Sequence, residues 1–119
     1  MPKTLTAPNA QADHLRQFKA EVFQVLAHPT RIHIIECLSE GEQSVGQLIA
    51  AIGVEPANLS QHLALLRAKR LVLSRKEGNQ VYCRLKDGTL AEILRSMKRY
   101  FLSNLEESLE LLKELEAKG

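Results

Sequence analysis

The sequence predicts a mainly α fold with one small β-hairpin, organised as a helix-turn-helix, a hairpin, and long helices at both ends. Three observations predict it. Residues 44–69 hold two segments of helical apolar period separated by Gly53. Over residues 71–85 the period drops from 3.6 to 2 around Glu77-Gly78-Asn79, the signature of a hairpin. From Thr89 to residue 117, apolar residues recur every three or four positions, with leucines and intervening glutamates in the second half.

Size and composition bound the rest. At 119 residues, with 45% apolar and 25% charged side chains, the chain is one globular domain too small for a large enzyme cleft. It has no Gly-rich phosphate loop, metal quartet or nucleophile with an adjacent base, so it reads as a non-enzyme without a cofactor. No apolar run approaches the roughly 20 residues that cross a bilayer, so no membrane partner is expected. Residues 1–11 lack an apolar signal core and read as a disordered lead-in to a single domain over 12–119. Two distant cysteines without an export signal point to a reducing cytoplasm.

Taken in order, Leu15, Phe18, Val22, Val25 and Leu26 space a first helix over residues 12–27. His28-Pro29 ends it and starts a second, with Pro29 at the first helical position and Ile32, Ile34, Ile35 and Leu38 on its core face. Gly41 closes that helix. Ser44-Val45-Gly46-Gln47 matches a capping box and opens a short third helix that buries Val45, Leu48, Ile49 and Ile52. Pro56 opens the fourth, whose Leu59, Leu63 and Leu66 mark one buried face. The third and fourth helices, joined by a Gly-containing turn, form the helix-turn-helix over 44–69. Leu71–Lys76 and Gln80–Leu85 then make the two hairpin strands of a wing over 71–85. Thr89-Leu90-Ala91-Glu92, a second capping box, opens the last helix over 89–117.

Charge places the function. Residues 55–86 carry seven basic and two acidic side chains, a net of +5, whereas the segments before and after are −1 and −2. A polyanion partner follows. On the fourth helix Asn58, Ser60, Gln61 and Arg67 lie off the leucine face, and Asn and Gln can pair bidentately with adenine in a major groove. Arg75, Lys76, Asn79 and Gln80 flank the hairpin tip, where charges can rest on phosphates and set affinity and register. Leu15, Phe18 and Val22 of the first helix, with Leu94, Met97, Phe101, Leu105, Leu109 and Leu112 of the last, exceed what one such domain can bury. They are read as the seam of a homodimer, with an intramolecular clasp as the alternative.

The stretches V-L-A-H-P-T-R-I, G-E-Q-S-V-G-Q-L, N-L-S-Q-H-L-A-L-L-R and V-Y-C-R-L carry a resemblance. In order and spacing the chain resembles the ArsR/SmtB family of bacterial winged helix repressors, over roughly residues 20–85. The resemblance implies a cytoplasmic homodimeric repressor that binds double-stranded DNA at an imperfect palindromic operator and leaves it when an inducer binds. By position it implies DNA contact from Asn58, Ser60, Gln61 and His62, a Ser44 that caps its helix and offers its amide and hydroxyl to a phosphate, and wing contacts from Arg75, Lys76, Asn79 and Gln80. His62 also neighbours the leucine face, where a packed role competes with base reading. Two positions depart from the family pattern. Glu55 replaces the usual Ser or Thr cap. Arg70 replaces a Gly that commonly ends the fourth helix; it adds a cation near the DNA face and, if left-handed, costs on the order of 1 kcal/mol.

The same resemblance leaves the signal open. Arsenic-type members carry Cys-Val-Cys where this chain has Ser44-Val45-Gly46, and zinc-type members use Asp and His on a last helix that here holds no His or Cys, so no metal site is expected. Cys37 matches one of the two cysteines of thiol-sensing members and is the candidate redox thiol, against a reading as core filler. Cys83, on the wing face shared with Val81 and Leu85, reads as a buried apolar residue. The competing function from another class is a protein-interaction winged helix that has lost its DNA role.

Overall fold

The computed structural model describes residues 7–118. The elements run α1 (Ala7–Leu26), α2 (Pro29–Leu38), β1 (Gln43–Ser44), α3 (Val45–Ile52), α4 (Pro56–Ala68), β2 (Val72–Glu77), β3 (Gln80–Leu85) and α5 (Thr89–Lys118). The winged helix-turn-helix is therefore present. The lead-in differs from expectation: residues 7–11 are already helical, while residues 1–6 lie outside the described residues. Pro8 falls in the first turn, where a missing amide costs nothing, and two alanines favour the helix beyond it.

The sheet has a third strand that the two-residue segment Gln43–Ser44 was too short to announce. Its order is β1-β3-β2, antiparallel, with Gln43 opposite Cys83 and Ser44 opposite Tyr82. In the hairpin Arg75 pairs with Tyr82 and Glu77 with Gln80, and a left-handed φ of 62° at Gly78 turns the chain.

The core is built from the predicted faces. Ile34 and Ile35 of α2, Leu48 of α3, Leu59, Leu63 and Leu66 of α4, Val72 of β2 and Cys83 of β3 are at most 1% exposed. From α5 only Leu90 and Ala91 are buried, with Leu94 packed partly against the core. The start of α5 also departs from expectation. The Asp87 carboxylate, not a box at Thr89, accepts the Thr89 N–H at 2.8 Å, and the Glu92 N–H is already committed to the Gly88 carbonyl. That bond holds the Asp87 carboxyl below the usual carboxylate range.

α4 is anchored at its back and closed by hydrogen bonds at its end. Arg70 adopts φ 59°, a left-handed conformation at the position where the family commonly has Gly. Its N–H donates to the Arg67 carbonyl and the Leu71 N–H donates to the Leu66 carbonyl, both at 2.9 Å. This is the Schellman pattern, in which Gly is the unstrained choice at Arg70's position. At the other end Glu55 makes no side-chain cap, as its departure from Ser or Thr implied.

Candidate nucleic-acid interface

Burial of Leu59, Leu63 and Leu66 rotates Asn58, Ser60, Gln61 and Arg67 outward, and all four are exposed. α4 and the wing enclose an open cleft of about 370 Å³. Ser60, Arg67, Asn79 and Gln80 line it, together with the N-terminus of α3 at Val45 and Gly46. Two helix residues and two hairpin residues chosen separately in the sequence thus share one concavity. Arg67 Nη1 donates to Ser74 Oγ at 3.1 Å, which ties the end of α4 to β2. Lys76 is exposed near the wing tip and forms none of the ion pairs found among the described residues.

Four of the other expected DNA contacts sit differently. Ser44 is 7% exposed: its N–H donates to Gln47 Oε1 at 2.8 Å and its Oγ accepts the Gln47 N–H at 3.1 Å. The reciprocal capping box consumes the amide that a phosphate would need. His62 is half-buried and faces α2, its ring 4.4 Å from that of His28, whose Nδ1 in turn accepts the Thr30 N–H at 3.1 Å. Burial pushes the His62 imidazole below its ordinary pKa, and His28 and Arg31 push the same way. Arg70 lies outside the α4–wing cleft and lines a separate one with Phe18, Lys86 and Leu90.

Arg75 is held by acids. Its Nη2 and Nε donate to the two Glu42 oxygens at 2.8 and 3.0 Å, its Nη1 donates to Glu77 at 2.7 Å, and its guanidinium carbon lies 4.6 Å from the Tyr82 ring centroid. The pairing lowers the Glu42 carboxyl and raises the Arg75 guanidinium. Glu42 is the residue that sequence reasoning missed. Its partner is 33 positions away, and β1, which brings the loop beside the wing, is too short to show a period.

Cys37 is half-buried in α2, and burial, followed by Glu36, pushes its thiol above the ordinary range. Cys83 is buried as expected, with Sγ 3.5 Å from Ser74 Oγ. Of the expected dimer residues, Val22 and Leu94 pack partly on the protomer's own core. Leu15, Phe18, Met97, Phe101, Leu105, Leu109 and Leu112 remain about half exposed. Among the described residues, no helix is long and apolar enough to cross a membrane.

Comparison with known proteins supplies the context. A family model described as bacterial regulatory protein, arsR family, matches residues 28–74. The chain is similar to the uncharacterized HTH-type transcriptional regulator Rv0081 of Mycobacterium tuberculosis (strain ATCC 25618 / H37Rv). The identity is 36% over 110 residues, covering 92% of this chain and 96% of the relative. The crystal structure of Rv0081 superposes with a TM-score of 0.72 at 38% identity, covering 80% of this chain and 96% of that one. The biofilm growth-associated repressor of Xylella fastidiosa (strain Temecula1 / ATCC 700964) is 34% identical over 82 residues, 69% of this chain and 72% of that protein. A homodimeric winged helix-turn-helix DNA-binding domain, fragment 1–100 of Mb0332 from Mycobacterium bovis, matches with a TM-score of 0.73. It is 26% identical and covers 88% of this chain and 94% of its own.

Proposed function

The chain belongs to the arsR family of bacterial regulatory proteins, and from that premise we propose that it is a homodimeric, sequence-specific DNA-binding repressor. The observation that carries the reading is the α4–wing cleft, where Ser60 and Arg67 meet Asn79 and Gln80 in a segment of net charge +5. In this reading Asn58, Ser60 and Gln61 read base edges in a major groove, because their short side chains can approach the duplex while Leu59 and Leu63 hold the helix from behind. Arg67, Lys76, Asn79 and Gln80 rest on the sugar–phosphate backbone, which fixes register. Arg75 positions the wing through Glu42.

The exposed leucines of α5 and the apolar face of α1 pair with those of a second copy. That places two α4 helices on one face of the duplex, about 34–36 Å apart, and calls for an imperfect palindrome with half-sites one turn apart. Cys37 is the candidate thiol for release from the operator, and because burial raises its pKa, it reacts slowly near neutral pH.

Fluorescence anisotropy against the chain's own upstream DNA, repeated over a range of salt, tests the reading. A log–log salt slope of several units, with tighter binding than to a random duplex, is the expected result. Absence of any salt-dependent DNA binding would leave the protein-interaction reading in its place.

A further inference from the structure

Arg70 lies beside α1 and α5, away from the α4–wing cleft. A cleft of about 330 Å³ opens between the end of α4 and the start of α5. Its apolar lining is Phe18, Leu71 and Leu90, and its cations are Lys69, Arg70 and Lys86. A narrower notch of about 50 Å³ continues the lining to Val22 and Val25, with Glu21 on its wall. Asp87 also borders the larger cleft; its carboxylate accepts the Thr89 N–H and stays charged beside Lys86, so the lining holds three cations and one anion. The three cations take part in none of the ion pairs found among the described residues. Arg70 is moreover the one described non-glycine residue with a left-handed backbone, at a helix terminus where Gly sits without strain.

From these features we infer that the cleft binds a small amphipathic carboxylate. The chemistry selects its class. Three cations against one carboxylate leave a net positive rim that disfavours a cationic ligand, and a neutral hydrocarbon would leave that excess unanswered. A bare inorganic anion would make no use of Phe18, Leu71 and Leu90. A carboxylate with a short tail satisfies both parts, since the Arg70 guanidinium matches its two oxygens and the tail covers apolar surface. The volume is at the lower end of the roughly 300–1,000 Å³ of small-ligand sites. The cleft joins the last turn of α4 to α1 and α5, so an occupant touches three elements of the fold at once. The inference goes beyond the DNA-binding reading; Phe18 and Val22 also belong to the proposed dimer seam, so the occupant sits beside that seam and its binding is tested on the dimer.

The test is titration of the full-length protein with decanoate below its micellar range, read by calorimetry and by amide NMR shifts. Acetate serves as the head alone, and decyltrimethylammonium as the tail with opposite charge. Saturable decanoate binding is expected, with shifts at Arg70, Leu71, Lys86 and Leu90, and with no binding of either control. Affinity should fall at least tenfold in Arg70→Gly and in Lys86→Gln. Arg70→Gly relieves a left-handed residue, so its fold should be at least as stable as the parent, and lost binding cannot be ascribed to unfolding. The inference is overturned by absent or non-saturable binding, or by unchanged affinity in both variants. It is equally overturned by shifts centred on Leu105 and Leu109, or by binding that appears only on dilution to monomer, where a second copy must have been filling the cleft.

Discussion

The Glu42 carboxylate accepts two hydrogen bonds from Arg75, at 2.8 and 3.0 Å, and so clamps the wing to the loop that precedes α3. The pair is exposed but bidentate, and Glu77 and Tyr82 complete the enclosure of the guanidinium. An arginine that looks in the sequence like a phosphate contact is, in the free protein, held between two acids. The carboxyl of Glu42 is lowered, so the clamp is complete above the ordinary carboxylate range and is lost as pH falls through the folded value.

The first prediction separates the two wing cations. Arg75→Ala should leave the salt slope of non-specific DNA binding unchanged, because no phosphate contact is removed. Lys76→Ala should flatten that slope by about 0.9, the value of one phosphate contact. Anisotropy at several salt concentrations reads both. A slope change of about one in Arg75→Ala would mean that Arg75 exchanges Glu42 for phosphate on DNA.

A second prediction concerns pH. The His62 pKa is lowered in the folded state, chiefly by burial against α2. Its contribution is therefore full above the ordinary imidazole value and is lost as pH falls through the folded one. Urea midpoints should drop between about pH 7.5 and about pH 5.5, and less so in His62→Gln. An NMR titration that puts His62 at or above the ordinary value would remove the basis for this.

Much of this architecture was readable in the chain itself. Ser44, Gly53, Pro56 and Gly78 act locally, and their caps and turns fall where short-range chemistry put them. The leucine faces did the same for the core. What escaped was non-local. β1 exists only because Gln43 and Ser44 meet Cys83 and Tyr82, and the Arg75 partner Glu42 lies 33 positions away in the chain. His62 occupies a turn of α4 that reads equally well as front or side until α2 supplies His28. The cleft beside Arg70 needed α1, α4 and α5 together, which no single stretch of sequence contains.

Cys37 gives a third prediction. With its thiol raised above the ordinary range, alkylation by iodoacetamide near neutral pH should be several-fold slower than for a free cysteine, and should speed up as pH rises. Cys83 should react only on unfolding. Alkylation of Cys37 as fast as a free thiol at neutral pH would restore it as a poised sensor.

The fourth tests the seam. Leu109 is 51% exposed, so Leu109→Glu should leave the circular dichroism of the protomer intact. Sedimentation should show the variant as a monomer at concentrations where the parent is a dimer, with operator affinity reduced at least tenfold. A parent that sediments as a monomer throughout would point instead to an intramolecular clasp.

The proposed role of α4 as the reader of sequence is tested most directly by Gln61→Ala, measured on the chain's own upstream operator and on random duplex at one salt concentration. Gln61 is exposed on the α4 face opposite the buried leucines and carries no charge. Its loss should weaken operator binding by roughly 1–3 kcal/mol and leave random DNA almost unaffected. An equal loss on both duplexes, or none on either, would contradict base reading by this helix.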